Sequence, residues 1–90
     1  MEQEIKLLVE KIYNNIDKAS LSNVLTIVNK IDLSTNLNIF INELLDIYKN
    51  DKEYTAIINK TNLKLLNQSY TKEYLINSML IEIWLLKKGF

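Results

Sequence analysis

Gly89 is the only glycine in a chain of 90 residues, and proline is absent. The usual material of tight hairpins and of phosphate-cradling glycine loops is therefore missing. What remains is a chain whose apolar residues recur at helical spacing. Ile5, Leu8, Val9, Ile12, Tyr13 and Ile16 fall at i, i+3, i+4, i+7, i+8 and i+11. That pattern is one face of an amphipathic helix over residues 2–17. Glu2 and Glu4 stand in its first turn, where carboxylates favour the positive end of the helix dipole.

Four more helices follow by the same reasoning. Ser20 or Ser22 caps a helix over 21–31, with Leu21, Val24, Leu25, Val28 and Ile31 turned inward. Ser34 caps a third over 35–49, carrying Leu37, Phe40, Ile41, Leu44 and Tyr48. Asn50 followed by Glu53 resembles a capping box opening a fourth over 52–68. Its stripe is Tyr54, Ile57, Ile58, Thr61 and Leu65. Thr71 caps a fifth over 72–88, with Leu75, Ile76, Met79, Leu80, Ile83 and Leu86 on one side. The expected fold is all-α: a compact bundle of about five antiparallel helices in one domain spanning 1–90. Its core should include Leu8, Ile12, Leu25, Val28, Phe40, Leu44, Ile57, Ile58, Met79 and Ile83.

One stretch reads two ways. Tyr54–Ile58 and Leu63–Leu66 would form a hairpin around Asn59-Lys60-Thr61-Asn62, completing a winged helix-turn-helix. The turn lacks glycine, and Glu43 and Asp46 would stand on the recognition helix, where carboxylates oppose phosphate. The 3.6-residue stripe favours a helix.

Composition removes most chemistries. With no Cys and no His, disulfides, thiolate or imidazole metal sites and histidine-dependent triads are excluded. Eleven Lys balance eleven acids and Arg is absent, so no basic face for nucleic acid is expected. Thirteen Ile, twelve Asn and eleven Lys without Arg have the look of an AT-rich genome. The start Met1-Glu2-Gln3-Glu4 is acidic, unlike a secretory signal. Tyr74–Leu86 is interrupted by Asn77, Ser78 and Glu82 and is too short to span a membrane. A cytoplasmic location is expected.

Ser69 and Lys72 have the spacing of a Ser-x-x-Lys dyad, but nothing nearby supplies an oxyanion hole. The pairs Glu2/Glu4 and Asp51/Glu53 read as helix-start charges rather than metal ligands. Tyr13, Tyr48 and Tyr54 read as core or core-edge residues. No catalytic residue, metal or cofactor is expected, and a binding role follows by elimination. The partner-binding candidates are Tyr74, Ile81, Trp84 and Leu85, a second apolar stripe on the fifth helix at i, i+7, i+10 and i+11. The same stripe would arise if that helix were the bundle's central one.

The run Tyr13, Ala19-Ser20, Val24, Ile31-Asp32-Leu33-Ser34, Leu37-Asn38-Ile39-Phe40, Leu44 and Tyr48 resembles the bacterial effector-associated domains. These are small death-fold-like adaptor modules of prokaryotic conflict and antiphage systems, and the resemblance covers roughly residues 5–60. It implies a non-enzymatic module that binds another protein, such as a homotypic helical domain or a second copy. The chain departs from that pattern by a shorter joint after Ser34 and a more apolar last helix. Leu7 to Ile16 is also similar to the first helix of the bacteriocin immunity proteins. That likeness implies a receptor–toxin assembly as partner. Residues 46–90, with seven Lys and five acids, lean towards the basic second half of those proteins.

Overall fold

A computed structural model describes residues 2–16, 18, 20–29, 36–67 and 69–89. They form five helices: α1 (Glu2–Asn15), α2 (Leu21–Asn29), α3 (Leu37–Ile47), α4 (Lys52–Lys64) and α5 (Lys72–Lys88). No strand occurs among the described residues, and of the stretch 54–66 that could have been a hairpin, 54–64 belongs to α4 and 65–66 to the turn after it. The fold is an all-α bundle. Its radius of gyration of 12.1 Å matches the value of about 12 Å expected for one compact domain of this length.

The ends of the helices have local causes. Ser20 Oγ accepts the Asn23 N–H at 3.2 Å, so Ser20 rather than Ser22 opens α2. At α4 the expected cap is corrected by one residue. Asp51, not Asn50, is extended (φ −120°, ψ 105°), and its carboxylate accepts the Glu53 N–H. Thr71 caps α5 as expected, its Oγ1 accepting the Tyr74 N–H at 3.1 Å. Gly89 closes α5 in the left-handed region at φ 88°, its N–H reaching the Leu85 and Leu86 carbonyls. Glycine adopts that conformation without a Cβ penalty.

Three helices are shorter than their stripes suggest. α1 ends at Asn15 rather than 17, and α3 occupies 37–47 rather than 35–49. Asn36 stands at the N-cap position of α3 without a side-chain cap bond. The proposed Ser34 cap and residues 30 and 31 of the second helix lie outside the described residues. α4 stops at Lys64, not 68, because the backbone tightens there. Leu66 N–H bonds the Leu63 carbonyl and Asn67 N–H the Lys64 carbonyl, an i→i+3 pattern that the α-helix does not continue.

One apolar core draws on all five helices. Its fully buried members include Ile5 and Ile16 of the α1 segment, Val28 of α2, Phe40 and Leu44 of α3, Ile58 of α4 and Met79, Leu80 and Ile83 of α5. Eight of the ten expected core residues are buried; Leu25 and Ile57 pack against the core while partly exposed. α1 lies on α3, α3 on α4, α4 on α5, and α5 on α2. Lys60 Nζ meets Glu82 Oε1 at 2.8 Å between α4 and α5, and Tyr54, earlier in α4, shares a cleft with Lys87, later in α5, so those two helices form an antiparallel hairpin. At its other end the hairpin meets the C-terminal ends of α1 and α3.

Phe40 is wholly buried whereas Leu63 is 70% exposed. Phe40→Ala should therefore cost about 3–5 kcal/mol in denaturant unfolding, against roughly 0.5 kcal/mol or less for Leu63→Ala. Similar midpoints for the two variants would contradict this packing.

Candidate functional site

The four residues proposed to bind a partner do not share one environment. Tyr74, Ile81 and Leu85 follow a single line along α5, because seven and eleven residues bring a helix back to nearly the same direction. Tyr74 is 53% exposed, Leu85 37%, and Ile81 is half-buried. Trp84 is turned aside from this line and packs against the core. Its indole Nε1 is buried without a hydrogen-bond partner, and Lys88 Nζ sits 5.7 Å from the ring centroid. Trp84 thus links the core to the flank of α5, while Tyr74 and Leu85 face solvent.

A stronger surface feature lies where α4 passes into α5. Leu63 and Leu66 are 70% and 83% exposed. Both fall off the inward stripe of α4, and Leu66 is carried outward by the tightened turn. Just beyond, Tyr70 and Tyr74 stack with centroids 5.7 Å apart and planes 8° apart. Lys64 Nζ stands 5.9 Å above the Tyr70 ring. Four large apolar or aromatic side chains are thereby presented along residues 63–74. Leu63, Leu66 and Tyr70 were not among the sequence candidates. Their signal was present: Leu63 and Leu66 lie three residues apart on the polar side of the α4 stripe.

The far end of the hairpin holds a different feature. Tyr13, Tyr48 and Tyr54 come together in one column of rings. Tyr13 and Tyr48 are tilted at 58° with centroids 5.1 Å apart; Tyr48 and Tyr54 stack at 4.8 Å and 13°. The column lines a cleft of about 390 Å³, with Ile47, Asn50 and Asp51 beside it and Lys87 reaching in from the last turn of α5. Burial, then the neighbouring Tyr54, Tyr13 and Asp51, push the Tyr48 hydroxyl well above the usual phenol range. It stays protonated and neutral at physiological pH. Reading the three tyrosines as core edge holds for Tyr48 and Tyr54, but Tyr13 is exposed.

The remaining candidates stay apart. Ser69 and Lys72 are both exposed, so Lys72 lacks the desolvation a Ser-x-x-Lys base needs. The Ser69 N–H bonds the Asn67 side chain, a local turn contact. Asp51 and Glu53 act at the start of α4, as expected for helix-start charges. No group of three potential metal ligands occurs among the described residues. Nor is any described helix long and apolar enough to cross a membrane. The chain matches no family model, no curated protein and no solved structure.

Two outcomes follow from these positions. Trp84 emission should be blue-shifted in dilute solution, and Leu85→Lys should leave the far-ultraviolet circular dichroism unchanged; a red-shifted Trp84 would put α5 in the wrong rotation. The raised Tyr48 value carries a sign. Above about pH 10 the unfolded chain releases this phenolic proton while the folded one keeps it. The stabilisation is fully present below pH 10 and is lost as pH rises beyond it. Tyr48→Phe, which has no proton to release, should flatten that alkaline loss in a pH series of melting curves.

Proposed function

We propose that this chain is a non-enzymatic helical module that binds another protein through the α4–α5 joint. The single observation that supports this most is the exposure of Leu63, Leu66, Tyr70 and Tyr74 around the α4–α5 turn. Each large apolar side chain left in water forgoes the stabilisation that burial would give, on the order of 1.5–3 kcal/mol. Four of them within twelve residues is a pattern that interfaces use, with tyrosines as anchors and aliphatic neighbours excluding water. The stacked Tyr70–Tyr74 pair is already ordered, so less side-chain entropy is lost on binding. Leu85 lies on the same line of α5 as Tyr74, about three turns further along the helix.

In this reading the module acts in the cytoplasm as an adaptor of the death-fold-like kind that the sequence resembles. Its partner is then a helical domain of an effector. If the partner is instead a receptor–toxin assembly, the immunity-protein resemblance is the better guide. The hairpin that a winged helix would need as its wing is helical here.

The test uses the full chain in its own host, with the captured protein identified by mass spectrometry. A Leu63→Lys/Leu66→Lys double variant should lose that partner and its biological effect while keeping the native melting temperature. Ser69→Ala and Lys72→Ala should keep both. A double variant that still binds overturns the assignment of the surface. Loss of effect in Ser69→Ala or Lys72→Ala, with binding intact, overturns the non-enzymatic reading.

A further inference from the structure

The tyrosine cleft lies at the opposite end of the α4–α5 hairpin from the surface just described, and its lining is of three kinds. The first is ring surface. Tyr48 stacks on Tyr54, meets Tyr13 at a tilt and is only 6% exposed, so its own ring is already covered. With centroids near 5 Å the rings leave no room for an ammonium group among them, which rules out an aromatic cage. A ligand ring would instead extend the column at its exposed member, Tyr13. The second kind is an anion, Asp51, the one acid among the described lining residues. Asp51 is held in place because its Oδ1 caps α4 at 3.2 Å from the Glu53 nitrogen. Asn50 adds an amide beside it. The third kind is a cation, Lys87, the one among the described lining residues, supplied by a different helix.

We propose that this cleft binds a free aromatic α-amino acid, its ring continuing the tyrosine column, its ammonium paired with Asp51 and its carboxylate with Lys87. A monofunctional amine would engage Asp51 alone, and a monofunctional acid Lys87 alone. The zwitterion matches both, and charge-assisted hydrogen bonds at its two ends fix its orientation. The hydroxyl of Tyr48 is neutral and adds no competing charge. A cleft of about 390 Å³ lies within the range of roughly 300–1,000 Å³ typical of small-molecule sites.

The probes are L-phenylalanine, 2-phenylethylamine and 3-phenylpropanoate, titrated into the full chain while the ring protons of the tyrosines are followed by nuclear magnetic resonance. L-Phenylalanine should shift Tyr13 and Tyr54 and bind roughly tenfold or more tightly than either analogue. Asp51→Asn preserves the helix cap, since asparagine caps as well as aspartate. Asp51→Asn should reduce phenylalanine binding to the level of the acid analogue's, and Lys87→Gln to that of the amine's. Tyr13→Ala, at an exposed position, should abolish the Tyr54 shift. Three outcomes overturn the proposal: equal binding of all three probes, shifts confined to Tyr70 and Tyr74, or no shift at millimolar phenylalanine. None of them decides whether the Leu63→Lys/Leu66→Lys variant loses its partner, so the two readings fail separately.

Discussion

Tyr48 is the joint on which the arrangement of the helices depends. It follows the last residue of α3, and its ring is buried between Tyr13 from α1 and Tyr54 from α4. Its backbone carbonyl accepts the Asp51 N–H at 2.9 Å and the Thr55 hydroxyl at 3.0 Å. One residue thus pins the end of α1, turns the chain after α3 and sets the direction in which α4 leaves. Because α5 returns antiparallel along α4, that direction also determines where the two ends of the hairpin lie. The exposed leucines and tyrosines stand at one end, and the cleft with Asp51 and Lys87 at the other. Aromatic pairs contribute about 0.5–1.5 kcal/mol each beyond their area; here they act at the junction of three helices.

α4 illustrates how the bundle tolerates a polar helix. Only Ile58 and Thr61 of α4 are fully buried. The Thr61 hydroxyl donates to the Ile57 carbonyl at 3.1 Å, so its burial leaves no unpaired polar group. The Lys60–Glu82 pair joins α4 to α5 on the outside, with both side chains substantially exposed. Such a pair contributes little, in the range of about 0–1 kcal/mol, and marks alignment more than it supplies stability. α4 therefore depends on the core supplied by α3 and α5, chiefly Phe40, Leu44, Met79 and Ile83.

Much of this was legible from the chain. α5 shows why: Thr71 at its start, ten inward and flanking apolar residues and a run of 17 without a breaker give both its ends. The inward stripe of α1 is equally explicit, since Ile5, Leu8, Val9, Ile12 and Ile16 all reach the core. The errors have physical causes. The end of α4 was placed too late because apolar residues continue through Leu65 and Leu66 while the hydrogen bonding changes to i→i+3. Asn50 fits the capping-box spacing because Glu53 stands three residues on, but the backbone dihedrals make Asp51 the cap. Trp84 packs at the core edge, one of the two environments that its place on α5 allowed.

Local chemistry accounts for what the sequence determined: helical class, the number of helices, their inward faces and most of their starts. Each of these depends on residues within one or two turns of one another, and a period of 3.6 residues makes the buried face readable without knowing what covers it. The tertiary structure alone decided that residues 13, 48, 54 and 87 meet. They come from four different helix ends, and their meeting depends on helix directions and on which helix lies against which. It likewise decided that Leu63 and Leu66 remain in water, since an off-stripe apolar residue is exposed only if no other helix packs there. Interhelical geometry follows from how five stripes are satisfied together, and no single stripe contains that information.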